Sequence, residues 1–590
     1  MTLEWIHPGL VLILGGCLLP LLKGPLKRVA MVCLPGVALA LCLTMSKGSY
    51  GEVQFLGETL VFGRVDQLSL IFSYVFCLIA VIGMVFSLHV DNDMQHASAL
   101  TYAGGALGVT FAGDLLSLYV FWELMAVSSA LLVWLGREPG SGRAGQRYFL
   151  VHVFGGLILL AGILLHGAES GSFAFEHLGT SGGVGWGLIL TAFLLNAAVP
   201  PLGAWLPDAY PRASVTGAVF MTAFTTKSAV YALIRGFAGT EFLIWLGAFM
   251  AVYGVVYAVL ENDSRRLLAY HIISQVGYMV CGAGIGTELA INGASAHAFA
   301  HILYKALLFM GAGAVIQMTG RHKLTQLGGL YKTMPITLGL YMVGAFAISA
   351  VPLFSGFVSK SMVVSAAGEA LLPVVFLTLT LASAGTFLHT GLKLPYYMFF
   401  GKDNGARGAE PPRNMLLAMG LAATACTLIG VFPGLLYEHL PFARVALEYH
   451  PYTLGHVTST LGMLGFTALG FFLLLRLLDP EPKISLDTDW IYRRGSVPLL
   501  RLIRGPLTRL QYGFVGEFHE VLIRRPILGL AAVLRRIDSR LINAAVEGIG
   551  PAVRTLSGWL RRAFSGHAQH YGLLMTAGIL GLFLLVWLLQ

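Results

Sequence analysis

Leu115-Leu116-Ser117-Leu118-Tyr119-Val120-Phe121-Trp122-Glu123-Leu124-Met125-Ala126-Val127 is an apolar run with one carboxylate, Glu123, at its middle. Placed in a bilayer, a charge at that depth costs roughly 2.5–3.5 kcal/mol on insertion scales, so it needs a partner or a task. Lys227, Lys305 and Lys360, each in or beside another apolar stretch, are candidate partners. Ionisable groups inside membrane helices point first to proton or ion conduction.

The rest of the chain fits that reading. Its 590 residues are 56% hydrophobic and 11% charged, against roughly 25% charged in ordinary domains. Apolar stretches near 20 residues recur along the length, each able to cross a ~30 Å hydrocarbon core. They predict an all-α polytopic membrane protein of about sixteen transmembrane helices. The expected centres are Leu14, Leu39, Leu78, Leu107, Val127, Ile158, Leu190, Val230, Val252, Val280, Leu307, Val343, Leu381, Leu421, Leu469 and Leu580. The opening stretch, with Glu4 and His7 but no basic run, does not read as a signal peptide.

One set of loops carries Lys23, Lys27 and Arg28, then Arg137, Arg143 and Arg147, then Arg265 and Arg266. It continues with Arg321, Lys323 and Lys332, then Lys402, Arg407 and Arg413. The alternate loops are poorer, which predicts that the basic set is cytoplasmic and the N-terminus outside. The net charge of +9 therefore reflects topology rather than nucleic-acid binding. Cys17, Cys33, Cys42, Cys77, Cys281 and Cys426 have no zinc, iron–sulfur or disulfide spacing, and no glycine-rich nucleotide fingerprint is present. No redox centre, cofactor or metal is expected in this chain.

Ala198-Val199-Pro200-Pro201-Leu202-Gly203-Ala204-Trp205 echoes Ala350-Val351-Pro352-Leu353-Phe354-Ser355-Gly356-Phe357. Paired, Pro-interrupted apolar segments are the sequence signature of a transporter built from repeats. The same offset sets Glu123 opposite Gln275 and His152 close to Lys305. Five spans per repeat, an odd number, would invert the second copy in the membrane.

His297, His301 and Lys305 recur at i, i+4 and i+8, on one helical face spread over about 80°. Two imidazoles above an ammonium suit a proton chain; the bland alternative is pairing with backbone carbonyls or a structural water. Lys227 follows Phe224-Thr225-Thr226 near an expected span centre, where snorkelling to the interface is hard. Lys360 follows the second break and, close to a membrane face, would simply be wet. Lys393 and His389, near the end of a span, read equally well as functional groups or interfacial anchors.

Four segments, in order, resemble the antiporter-like family. That family includes the proton-pumping membrane subunits of respiratory complex I, the A-type and D-type subunits of Mrp cation/proton antiporters, and membrane subunits of energy-converting hydrogenases. The segments are Asp114–Leu124, Trp205-Leu206-Pro207-Asp208-Ala209-Tyr210-Pro211, Arg266–Tyr278 and His301–Phe309. The Tyr-Pro after Leu-Pro-Asp-Ala and the Ala-Tyr-His before Ser-Gln look most like the D-type Mrp subunit. The resemblance, from about Leu68 to Lys402, implies two inverted five-helix repeats with broken helices and a polar axis at the membrane midplane. It implies a proton pathway through Glu123, Lys227, His297, His301, Lys305 and Lys360, with His152, Asn196, Gln275, His389 and Lys393 as auxiliaries. One departure matters: where the family usually has a Lys before the first break, this chain has Asn196. Lys227 or His152 then takes over that role, or the first half-channel is disabled.

The expected organisation is N-terminal helices (1–97), a first repeat (98–240), a second repeat (241–402) and further spans (403–478). A linker containing Asp479-Pro480-Glu481-Pro482-Lys483 and a basic amphipathic helix follow (479–569), then a terminal anchor (570–590). Phe514, Phe518 and Val521, then Leu534, Ile537 and Leu541, hold helical spacing between many arginines, with interruptions expected at Pro506, Pro526 and Gly550-Pro551. Such an extension resembles the lateral brace of the distal antiporter-like subunit of complex I, and adhesion to anionic lipid is the plainer reading.

The function expected is a proton-translocating subunit of a multi-subunit complex in a bacterial-type inner (cell) membrane, the D-type component of a Na+(cation)/H+ antiporter. Its partners would be other membrane subunits, the lipid bilayer, H+ and Na+ or K+. The alternatives are a non-redox pumping subunit of a complex I-like NADH:quinone oxidoreductase or energy-converting hydrogenase, and a non-pumping scaffold.

Overall fold

The computed structural model describes residues 5–55, 57–136, 138–481, 487, 489–510, 513, 516–563 and 568–589. Glu4, Arg137, Pro482, Lys483 and Phe514, named above, lie outside them. Every expected span centre falls within a helix. Among the described residues, twelve helices are long and apolar enough to cross a membrane, with Pro8–Leu21, Val184–Asn196 and Pro335–Ile348 as shorter apolar ones. The helix at Leu107, rich in glycine and polar at its start, is not among the twelve.

The first unit runs to Trp490. It opens with α1 (Pro8–Leu18) and α2 (Gly24–Thr44). An antiparallel hairpin that no sequence signal above points to follows, β1 (Gly48–Phe55) and β2 (Glu58–Val65), paired from Gly48 with Val65 to Phe55 with Glu58. Next come α3 (Gln67–Ser87), α4 (Asp93–Phe111), α5 (Leu115–Trp134), α6 (Ser141–Ser170) and α7 (Val184–Asn196). After the break lie the short α8 (Trp205–Ala209) and α9 (Val215–Met221), then α10 (Thr225–Phe237), α11 (Glu241–Leu260) and α12 (Ser264–Ile285). The series continues with the 32-residue α13 (Glu288–Thr319), α14 (Pro335–Ile348), α15 (Ser355–Glu369) and α16 (Pro373–Thr386). Last in this unit are α17 (Arg413–Val431), the short α18 (Gly434–Tyr437) and α19 (Ala443–Glu448), and α20 (Leu454–Leu473).

Short polar residues start these helices. Asp114 accepts the Ser117 amide at 2.7 Å to cap α5, and its other oxygen accepts the Val61 amide of β2 at 2.7 Å. The carboxylate that begins the Glu123 helix therefore also fastens the hairpin to it. Asp66 caps α3 and pairs with Arg235 of α10 at 2.8 Å. Burial opposes ionisation of Asp66, but the Arg235 guanidinium, with help from Ser69 and Arg64, outweighs it and holds the carboxyl below its usual range.

Both breaks share one local geometry. Ala198 and Ala350 each take a left-handed backbone, at φ 59° and 57°. A Cβ on Gly203 would lie 2.1 Å from the Ala198 carbonyl oxygen, and one on Gly356 would lie 1.8 Å from that of Ala347. Only glycine lets the chain fold back so closely. The indole of Trp205 returns a hydrogen bond to the Leu195 carbonyl at 3.0 Å, satisfying part of the open end of α7.

The two units are distinct, the second starting at Ile491. It is largely helical to Ala563, and a separate helix spans Ala568–Leu589. The interruption expected at Gly550-Pro551 does not occur: Asn543–Ala563 is one helix with Pro551 inside it, since a proline removes one backbone bond without necessarily ending a helix. At Pro506 the helix widens into a π turn (Ile503–Leu507) rather than stopping. At Pro526 too the helix is not interrupted: the π turn Glu520–Arg524 runs directly into Arg525–Ile537, and the widened turn accommodates the proline's missing N–H. Phe518, Val521, Leu534 and Ile537 are all exposed.

Helix packing in the first unit relies on small residues. Gly247, Gly254, Gly277 and Gly284 bring α11 and α12 into backbone contact; a Cβ at Gly254 would lie 2.5 Å from the Ser274 amide, and one at Gly277 2.6 Å from the Ala251 amide. Gly277→Val is expected to force the pair apart at a cost of about 1–3 kcal/mol. A lowered melting temperature of the detergent-solubilised protein by fluorescence would report it, whereas Gly187→Val, beside open space, should leave the melt unchanged.

Candidate functional site: a buried row of lysines and histidines

The α13 face carrying His297, His301 and Lys305 is fully buried. His297 Nδ1 lies 3.2 Å from Ser359 Oγ of α15, and its Nε2 lies 3.4 Å from the Tyr304 hydroxyl. The His297 and His301 ring centroids are 6.2 Å apart, and His301 lies edge-on to Tyr304 at 5.2 Å. Neither ring nitrogen of His301, nor Lys305 Nζ, meets a hydrogen-bond partner among the described residues. Three of the ladder's polar atoms thus have no hydrogen-bond partner among the described residues, so carbonyl pairing does not account for His301 and Lys305. Buried groups in that state are what a transient proton carrier requires and what a stable core avoids.

Lys227 and Lys360 are held differently, each by a carbonyl released at a helix discontinuity. Lys227 Nζ donates to the Thr222 carbonyl at 2.6 Å and to Thr226 Oγ1 at 3.1 Å, between α9 and α10. It is fully buried, so the snorkelling alternative does not apply. Lys360 Nζ donates to the Ile348 carbonyl, at the end of α14, at 2.8 Å, and lies 5.3 Å from the centre of the Tyr278 ring. Lys360 is itself buried, yet it lines a cavity of about 210 Å³ with Ser361, Ser365, Thr380, Ser383 and His456. The ammonium is therefore bound to backbone rather than exposed at a membrane face, with a cavity of mixed, mostly apolar lining beside it.

Gln275 bridges α12 to its neighbours, accepting from the Tyr304 hydroxyl at 3.4 Å and reaching Thr386 Oγ1 at 3.3 Å. His389 lies in a π-helical turn, Phe387–Lys393, that continues α16. Its ring is 6.2 Å from that of His271, and both nitrogens of His271 lack a partner among the described residues. His271 was legible only as a letter of the Ser-Gln segment; nothing in its spacing marks it as part of a row. Lys393 donates to the Val259 carbonyl at 2.6 Å and is buried, unlike an interfacial anchor.

The first half of the row is less regular. Glu123 is half-buried, and its Oε1 is sealed from solvent without a hydrogen-bond partner among the described residues. The carboxylate lies over Gly156 of α6, where a Cβ would fall 1.7 Å from Oε1. One turn away His152 Nδ1 contacts Asn196 Oδ1 at 3.0 Å, and its ring packs on Tyr148 and Trp205, with centroids 4.2 and 4.6 Å apart. Lys227 is bound elsewhere, to Thr222 and Thr226, not to Glu123.

A second cavity, of about 580 Å³, lies where α4, the α5–α6 turn, α9 and the ends of α12 and α13 meet; His89, Gln95, Glu138, Thr216 and Arg265 line it. Cys42 and Cys77, unremarkable in sequence, lie with sulfurs 3.9 Å apart, well beyond the ~2.05 Å of a disulfide.

A helical bundle with two broken helices and a buried row of lysines and histidines is the architecture seen in transporters built from repeats. Residues 112–386 match the family described as NADH:quinone oxidoreductase/Mrp antiporter, transmembrane. That match covers just under half of the chain, which over this region is similar to antiporter-like membrane subunits. The chain is 32% identical over 402 residues to the probable A/B-type component of a K(+)/H(+) antiporter of Rhizobium meliloti, covering 63% of this chain and 40% of that one. It is 33% identical over 320 residues to the D-type component of the Na(+)/H(+) antiporter of Alkalihalophilus pseudofirmus, covering 51% of this chain and 64% of that one. The chain thus spans less than two thirds of the length of these relatives. In fold it is similar to a chain of the Mrp complex from Dietzia sp., with a TM-score of 0.69, 23% identity, and coverage of 79% of this chain and 100% of that one.

Gly156→Ala is expected to push the Glu123 carboxylate from its seat. Displacements of about 1 Å at a reacting group cost up to ~10²-fold, so proton transport should fall by that order while the protein still assembles. Adding Glu123→Asp, one methylene shorter, should recover part of the loss in the same assay.

Proposed function

We propose that this chain is a proton-translocating subunit of a multi-subunit membrane complex, most simply the D-type component of a cation/proton antiporter moving Na+ or K+ against H+. The observation that carries the reading is Lys305 with His301: buried, titratable and unpartnered on one helix face among the described residues. Lys227 and Lys360, held by carbonyls at the two discontinuities, extend the row to either side. A scaffold has no use for such groups, whose burial costs several kcal/mol each.

In this reading a proton enters from one face, moves along Lys227 and the α13 face of Lys305, His301 and His297, and leaves by the other face near Lys360 or Lys393. A lysine bound by a single carbonyl can release it, give up a proton to a neighbouring imidazole, and rebind when recharged. The two breaks, alike in backbone, support a pair of repeats, 98–240 and 241–402, with the second inverted. The basic loops support a cytoplasmic placement for that face, with the N-terminus outside. The basic helices of the second unit would then lie along the cytoplasmic interface, with Ala568–Leu589 as anchor. The second reading, a pumping subunit of a complex I-like NADH:quinone oxidoreductase, is favoured by the family description itself. Electrons would then belong to partner subunits.

Lys305→Met should leave the complex assembled and reduce proton transport by ~10²-fold or more, the usual weight of a positioned proton carrier. Unchanged transport with Lys305→Met would establish the scaffold. Purification in mild detergent, with mass spectrometry of every co-purifying subunit, separates the other two. A set of small antiporter components and nothing else favours gradient-driven exchange; iron–sulfur or flavin proteins favour a redox pump.

A further inference from the structure

Glu123 and His152 each carry one orphaned atom, and the two are on facing helices. Glu123 Oε1 of α5 and His152 Nε2 of α6 are both sealed from solvent and lack a hydrogen-bond partner among the described residues. They share one face of α6: the carboxylate covers Gly156, four residues after His152. Gly156 presents no side chain there, so α6 interposes nothing at that turn. No lysine or arginine among the described residues forms an ion pair with Glu123, and the nearby end of α7 supplies Asn196, which cannot hold a proton.

Asn196 has a different effect. Its carbonyl oxygen lies 3.0 Å from His152 Nδ1. Accepting from Nδ1–H, it fixes the tautomer whose lone pair is on Nε2. The Tyr148 and Trp205 rings pack on the imidazole and hold its plane. A row of hydroxyls leads onward: the Tyr148 hydroxyl is 2.9 Å from Ser129 Oγ and 3.4 Å from Thr225 Oγ1, and adjacent Thr226 Oγ1 accepts from Lys227 Nζ at 3.1 Å.

We propose that His152 is the proton acceptor for Glu123 in this chain, oriented for that task by Asn196, and that it replaces a lysine–glutamate pair. In the step, the Glu123 carboxylic acid gives its proton to the Nε2 lone pair, through one bridging water, leaving a carboxylate and an imidazolium. The imidazolium returns to neutrality when the water at Nε2, once Glu123 is ionised, takes the Nε2 proton and passes it to the Tyr148 and Thr225 hydroxyls, which lie beyond direct reach of Nε2. Neutral Lys227 is the final acceptor and becomes the ammonium bound by Thr222 and Thr226. No electron moves and no co-reactant is needed. The inference rests on the proton-transport reading above.

The test uses the intact purified complex in liposomes, with pyranine reporting proton movement. It is driven by an imposed Na+ or K+ gradient, or by an electron donor if redox subunits co-purify. His152→Asn keeps an amide able to bond Asn196 but carries no proton; transport should drop by at least about tenfold with subunit composition and melting unchanged. Asn196→Lys in the His152→Asn background sets an ammonium against the same carboxylate and should restore much of the rate. Wild-type transport by His152→Asn overturns the proposal. So does a loss that Asn196→Lys fails to restore in a fully assembled complex, since His152 would then matter for shape alone. Lys305→Met run in parallel separates the failures: if it too transports normally, the proton-transport reading itself falls.

Discussion

A cation in hydrocarbon must find oxygen atoms, and a helix that is fully hydrogen-bonded has none to give. The bundle meets that constraint by interrupting helices. Where α14 stops, the Ile348 carbonyl is released and binds Lys360; where α9 gives way to α10, Thr222 does the same for Lys227. The backbone cost at the Lys360 site is visible in left-handed Ala350 and in Gly356, whose missing side chain admits a folded-back chain; the break after α7 has the same form at Ala198 and Gly203. Lys305 is the exception, midway along an unbroken helix of 32 residues, with no carbonyl partner among the described residues. The row therefore alternates between anchored and unanchored cations.

Much of this was legible in the sequence, because it rests on local period. The i, i+4, i+8 ladder of α13 is present as a face, and the paired Ala-Val-Pro segments are present as breaks. Glu123, Lys227, Lys305 and Lys360 stand out by being charged among apolar neighbours. What escaped depends on distance along the chain. Ser359 reaches His297 from 62 residues away and Asn196 reaches His152 from 44. The hairpin of residues 48–65 has its support in Asp114, 53 residues after Val61. His271 and His389 come together only because a widened turn in the helix after α16 aims one at the other. Lys393 was ambiguous in sequence for the same reason: its carbonyl partner, Val259, is 134 residues away.

The two halves of the row solve the same problem with different chemistry. In the second half, lysines and imidazoles supply the titratable groups. In the first, a carboxylate, one imidazole and a set of hydroxyls stand near the other break, and on the proposal above Asn196 orients the imidazole rather than carrying a proton. Gly156 is central to that half despite having no side chain, since it leaves a seat for the Glu123 carboxylate that any Cβ would fill.

The π turns from Phe387 to Lys393 and from Tyr396 to Phe400 have a consequence for how this chain can vary. A π turn is an α-helix carrying one surplus residue. Removing a single residue there would regularise the hydrogen bonding and give a more ordinary helix. Because the widened turn itself absorbs the surplus residue, the helix beyond would keep roughly its facing, whereas a deletion in a regular turn swings everything after it by about 100° around the axis. Single-residue changes of length should therefore be borne best in these two turns, where a residue is gained or lost without re-aiming the neighbouring spans.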